Sequence, residues 1–250
     1  FSFQVSEKNR MENGMRSDII QLTQQLDSEY YSLVKISQQM SVEGNIGSAF
    51  NEYLQAQEPY DKIECSNNVT TSINTMIFNY DTGALASYFS MEEDGARSLF
   101  SNFPVRDYPL DDPFGLLVRS SEIEFHTFHT CLNVISDKQV ISLMRTADFG
   151  KGKYMIYAET YVGLAKLLDL LSVSRDVNYT LLQIDGEGRI CYSGNADFSV
   201  GEQFEMCEEE ETDFGKTGSY YYFMKKSDFG FYNVLLADKG SYLRQEHYWL

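Results

Sequence analysis

Between Ser6 and Met40 the apolar residues Ile19, Leu22, Leu26, Tyr30, Leu33, Ile36 and Met40 recur at steps of three and four. That is the spacing of one stripe along an α-helix. No Pro interrupts it, and Gly14 is its only Gly. A helix of about 30 residues is about 45 Å long at 1.5 Å per residue, more than a compact domain needs internally. It is expected to run as a spine; the alternatives are an ordinary core helix and a coiled-coil seam, and the few heptads argue against the seam.

Gly44 and Gly47 mark a break, after which Ser48 to Gln57 and Tyr60 to Tyr80 read as helices separated by Pro59. The period then drops to two. Ala84 to Met91 and Ala96 to Phe100 read as strands around the turn Glu92 to Gly95, and Asn102 to Phe114, with three of the chain's four Pro, reads as a long loop. Glu122 to Val134, Gln139 to Thr146 and Tyr154 to Glu159 follow as strands, with a turn at Asp148 to Lys153, and Gly163 to Ser174 is expected to be a helix. Thr180 to Ile184, Arg189 to Tyr192, Ser219 to Met224 and Gly230 to Ala237 complete the strand set. Gly188 to Asn195 falls on Gly95 to Asn102 at a constant offset of 93, Gly on Gly and Asn on Asn, which suggests two related α/β modules.

Composition narrows the function classes. The formal charge of −17 repels phosphate backbones and anionic lipid, so nucleic acid is not an expected partner. Hydrophobic residues at 43% and only four Pro describe an ordered chain. No apolar run approaches the roughly 18 to 20 residues that cross a bilayer, so the segment itself is read as soluble. Cys65, Cys131, Cys191 and Cys207 form no CxxC pair; two disulfides are possible, but there are too few cysteines for a disulfide scaffold.

Asp-Phe-Gly occurs at Asp148, Asp213 and Asp228, and without a Gly-rich nucleotide loop or an HRD loop all three are read as turn signals. His126, His129 and Cys131 offer three potential ligands, but on a regular strand residues 126 and 129 point to opposite faces, which argues against a shared metal unless the segment is helical or bulged. One imidazole in a pocket, in polar contact with a ligand, is the other use. Asp185, Glu187 and the run Glu208 to Glu211 lack the spacing of a calcium loop and are read as solvated. No catalytic set assembles from the sequence, and neither a metal nor a cofactor is expected.

The stretch from Lys153 through YMIYAETYVGLAKLLDL to Leu171, then Tyr179 through TLLQIDGEGRICYSG to Asn195, and the tail from Gly218 to Leu243 resemble the double-Cache extracytoplasmic sensor domain of bacterial transmembrane receptors, most closely that of sensor histidine kinases. The resemblance implies an α+β fold with a long N-terminal helix and two PAS-like modules with antiparallel sheets. Its divisions are a spine helix at 1–43, a membrane-distal module at 44–162, a linking helix at 163–176 and a membrane-proximal module at 177–250. It also implies flanking membrane helices outside the segment, a homodimeric receptor at the extracellular face of the cell membrane, and a small molecule bound in the distal module. Chemoreceptors and diguanylate cyclases share the module, and a solute-binding protein docking on it is a further alternative.

The family's amino-acid-binding signature is incomplete here. The only Trp is Trp249, and Glu159 stands where the family often places Asp. On physical grounds a ligand should lie between the distal sheet and the long loop, among aromatic and a few polar groups. The candidates are Tyr108, His126, Phe128, Arg145, Tyr157 and Glu159.

Overall fold

The computed structural model describes residues 2–80, 83–92, 95–109, 123–134, 136–171, 179–204 and 214–240. The acidic run at 208–211, Cys207 and Trp249 lie outside these residues, as do parts of the expected long loop, linking helix and tail.

The N-terminal stripe forms α1 (Ser2–Met40), and Met15, Ile19, Leu22, Leu26, Tyr30, Leu33, Ile36 and Met40 are all essentially inaccessible. The turn to α2 (Asn45–Gln55) requires glycine: a Cβ on Gly44 would lie 2.4 Å from the Gln38 carbonyl oxygen, and one on Gly47 1.7 Å from that of Ser41. Pro59 opens α3 (Pro59–Tyr80), where a missing N–H costs nothing. The chain divides into two compact units. One holds residues 29–162, and the other residues 1–28 with 163–250, so a division falls inside α1.

In the first unit β1 (Leu85–Glu92), β2 (Gly95–Ser101), β3 (Tyr108–Pro109), β4 (Ile123–Thr130), β5 (Gln139–Asp148) and β6 (Lys153–Tyr161) form an antiparallel sheet of order β3-β2-β1-β6-β5-β4. Its helix-facing side is aromatic. Phe50 of α2 stacks on Tyr88 at 4.1 Å, with Phe149, Tyr154 and Phe100 edge-on to it. The Tyr88 hydroxyl donates to the Met40 carbonyl at the end of α1.

In the second unit α4 (Leu164–Asp169) precedes β7 (Tyr179–Ile184), β8 (Ile190–Ser193), β9 (Phe214–Thr217), β10 (Tyr220–Lys226) and β11 (Tyr232–Asp238), in the order β8-β7-β11-β10-β9. This is the strand order of the first sheet with β3 removed. The repeat read from the sequence is a structural one. Asn102 clasps β1 through the Ala86 N–H and the Ala84 carbonyl, and Asn195 reaches back to Thr180 on β7.

Three elements differ from the sequence reading. β3 and β9 are additional strands, each short and paired along one edge only. The described part of the linking helix is six residues, closing at Leu170, whose N–H is shared between the Lys166 and Leu167 carbonyls as the last turn tightens. Of the three Asp-Phe-Gly segments, those at 148 and 228 turn, with Gly150 and Gly230 at φ +75° and +92°, whereas Phe214 and Gly215 lie in β9. Gly215 is needed there because the Tyr222 ring crosses it, 2.3 Å from where a Cβ would sit. Cys65, Cys131 and Cys191 are free thiols.

Candidate functional site

Strand pairing determines which side chains share a side of the six-stranded sheet. Opposite residues of an antiparallel pair point the same way, and alternate residues along a strand repeat it. Leu85 pairs with Glu159, Ser87 with Tyr157 and Phe89 with Met155; across β5, Glu159 pairs with Ser142 and Tyr157 with Met144. These residues form the side turned away from the α1–Tyr88 contact. Segments 104–106 and 132–134 pair over it through Arg106 N–H to the Leu132 carbonyl and Val134 N–H to the Pro104 carbonyl. Leu132 and Val105 pack onto Leu85, Phe89, Ala96, Met144, Met155 and Tyr157.

A bulge in β4 corrects the expectation that His126 and His129 face opposite ways. His126 pairs with Ser142 and His129 with Val140, three residues on one strand against two on the other. The extra residue turns the second imidazole onto the side of the first. The two rings stand 6.3 Å apart at 88°. Both His129 nitrogens are engaged, Nδ1 with the Thr130 carbonyl at 2.8 Å and Nε2 with the Ser142 hydroxyl at 2.7 Å. Among the described residues no group of three or more His, Cys, Asp and Glu is placed to hold a metal ion.

The imidazole, the Ser142 hydroxyl, the Tyr157 phenol and the Glu159 carboxylate form a linked polar chain beneath this cover. Tyr157 donates to Glu159 Oε2, which also accepts the Leu132 N–H at 2.9 Å. Burial brings His129 down to about 4, so the ring is neutral near pH 7. Burial also pushes the Tyr157 phenol well above its usual range, and the neighbouring Glu159 adds to the effect. Glu159, 3% exposed, is raised by burial and drawn partly back by its hydrogen bonds from Tyr157 and the Leu132 and Asn133 backbone. A neutral imidazole and hydroxyls can donate and accept hydrogen bonds, and the Glu159 carboxyl group accepts them from Tyr157 and the Leu132 backbone.

The expected candidates separate by side. His126, Tyr157 and Glu159 share the polar side; Tyr108 stands opposite Ala96 in the β2–β3 register. Arg145 does not join them. It pairs with Ile123 and Ile156 on the helix-facing side, where its Nε is buried without a hydrogen-bond partner among the described residues. Phe128 lies in the bulge and is 4% exposed. Ser142 and His129 were not among the candidates; only the bulge brings His129 onto this side.

Two sheets of one strand order, preceded by a long helix, define the double-Cache fold. No family model matches the chain, and no curated protein does. The likeness is to solved structures. The extracellular domain of soHK1S-Z6, named as a histidine kinase, superposes with a TM-score of 0.57 at 11% identity, over 98% of this chain and 100% of that one. The ligand-binding domain of the Pseudomonas fluorescens chemoreceptor CtaA, in complex with L-isoleucine, gives 0.54 at 12% identity over 98% and 97%. That of the Pseudomonas aeruginosa PAO1 amino acid chemoreceptor PctC, in complex with GABA, gives 0.52 at 10% over 93% and 99%.

Proposed function

We propose that this chain is the ligand-sensing domain of a bacterial transmembrane receptor, a sensor histidine kinase that works as a homodimer with this domain outside the cell membrane. The ligand is a small molecule taken on the covered side of the six-stranded sheet, with Tyr108, His126, Tyr157 and Glu159 facing it. Arg145 and Phe128 act at one remove, shaping the sheet. The observation that carries this reading is the polar chain from His129 to Glu159, buried on a side of the sheet whose counterpart in the other unit's sheet holds only apolar and aromatic groups such as Leu182, Ile184, Val234 and Leu236. The kinase assignment follows the resemblance of the Lys153–Leu171 and Tyr179–Asn195 stretches to sensor histidine kinases; the soHK1S-Z6 and CtaA domains overlap this chain to a similar extent. Amino acids and GABA are the ligands named for the similar chemoreceptor domains, and the screen starts from them.

The test is a thermal-shift screen of the purified domain against amino acids, small amines, carboxylates, sugars, nucleosides and short peptides. A compound at 100 times its Kd adds about 2.7 kcal/mol to stability. The expected hit loses its shift in Glu159→Gln and His126→Ala and keeps it in Arg145→Gln. A flat screen, or a hit indifferent to both Glu159→Gln and His126→Ala, overturns the reading.

A further inference from the structure

Segment 131–134 leaves β4 after Thr130 and crosses the polar side of the six-stranded sheet without joining it as a strand. Its backbone pairs sideways instead, with the Arg106 N–H donating to the Leu132 carbonyl and the Val134 N–H to the Pro104 carbonyl. Toward the sheet, the Leu132 side chain is 2% exposed and packs among Leu85, Phe89, Met144, Met155 and Tyr157. The Leu132 N–H, together with that of Asn133, is donated to the Glu159 carboxylate. Val134 is already 43% exposed, so the segment passes from core to surface within two residues. Neighbouring strands are held by backbone ladders, which no small molecule replaces. Leu132 is held to the sheet differently, by an apolar side chain and by hydrogen bonds to a side-chain acceptor. A compact branched apolar group beside an N–H donor offers the same two contacts.

We propose that segment 131–134 is a lid, with Leu132 as a plug seated where the ligand goes and Glu159 as the catch that holds it down. A ligand then enters by exchange. Its donor takes the Glu159 oxygen from the Leu132 N–H, its apolar part takes the place of the isobutyl group, and the lid lifts. The catch also selects. Lifting Leu132 without supplying a new donor leaves a buried carboxyl group short of hydrogen bonds, which is costly. A purely apolar compound therefore fills the Leu132 position at the expense of the catch, whereas one with an N–H or O–H beside its apolar group replaces both contacts. This inference rests on the ligand site proposed above and adds how that site is opened.

Native-state amide exchange of the purified chain, read residue by residue by NMR at low denaturant, tests the lid. The Arg106, Leu132 and Val134 N–H groups are expected to exchange together, through one opening nearly independent of denaturant. That exchange is about 100-fold or more faster than at Ile156, Tyr157 and Ala158 in the central strand β6. Glu159→Gln keeps the shape and one acceptor oxygen but removes the charge, and speeds the three amides about tenfold; the β6 amides report any general loss of stability. Isovaleramide, an uncharged isobutyl group bearing an N–H donor, added at about 100 mM to cover millimolar affinities, speeds exchange at Leu132 and not at β6. Leu132 exchange that matches β6 in rate and denaturant dependence makes 131–134 part of the sheet core and overturns the lid, without touching the ligand reading. An opening that Glu159→Gln leaves unchanged overturns the catch, and one that isovaleramide leaves unchanged overturns the plug. A lid that opens in a chain for which the ligand screen stays flat overturns the site on which the inference rests.

Discussion

The two sheets share a strand order and a hairpin-closing asparagine, yet distribute their polar groups in opposite ways. In the six-stranded sheet the helix-facing side is dominated by the Phe50–Tyr88 stack and its aromatic neighbours, and the polar chain lies on the other side. In the five-stranded sheet the polar groups are toward α1. Asn233 donates to Thr23 at 3.2 Å and accepts from Gln183 at 2.9 Å, while Ser227 donates to Asp27 at 2.6 Å. The side away from α1 is occupied by Leu182, Ile184, Phe204, Tyr222, Val234 and Leu236. Topology therefore leaves open where hydrogen-bonding capacity is placed, and side-chain choice at alternate strand positions decides which sheet can address a ligand.

Three experiments probe this inversion. Phe50→Ala removes the ring on which the dry side of the first unit is built, and is expected to cost about 4 kcal/mol in a denaturant titration; a loss near zero would show that the aromatic stack does not hold the helices to the sheet. Asn233→Ala removes the side-chain contacts that Gln183 and Thr23 make to Asn233 and is expected to cost about 2 kcal/mol. A double-mutant cycle with Thr23→Val should show coupling, since the two residues bond directly. Additive losses would mean that this contact contributes nothing of its own.

The third concerns pH. His129 binds its proton less tightly folded, near 4, than unfolded, near 6.5, so its contribution is complete above about pH 6.5 and falls as pH drops toward 4. About 2 kcal/mol should be lost across that window after allowing for partial exposure. His129→Gln should flatten the profile, and an unchanged slope in the variant would assign the loss to other groups. Glu159 works in the opposite sense: its pKa is raised on folding, so its contribution is complete below its unfolded value and is lost as pH rises from there through the higher folded one.

Much of this fold was legible in the sequence because two periods carry it. The three-and-four spacing from Ile19 to Met40 predicts α1, and the offset between Asn102 and Asn195 predicts two related hairpins that each asparagine closes. Short elements were not legible. Phe214 to Thr217 contains only one large apolar residue, and the Gly that reads as a turn is there to admit the Tyr222 ring. Of the proposed site, Tyr157 and Glu159 are legible as a same-side pair because they alternate on one strand beside an obvious apolar pattern. Sequence spacing alone leaves the side of His129 open, because a bulge changes the count by one and no residue type between His126 and His129 announces it. Arg145 was grouped with them by chemistry, although its register places it on the helix side.

The division between the two units at Ser28 and Glu29 falls within a continuous helix whose buried residues run on either side of it, from Met15 to Leu26 and from Tyr30 to Met40. No loop separates the units there to let one melt in isolation. When either core opens, half of α1 loses its packing, and a helix segment of that length is marginal in water once unpacked. Fraying then crosses the division residue by residue. Heat or denaturant should therefore take the two units apart in linked transitions, with a melting enthalpy nearer that of one large cooperative body than of two small ones.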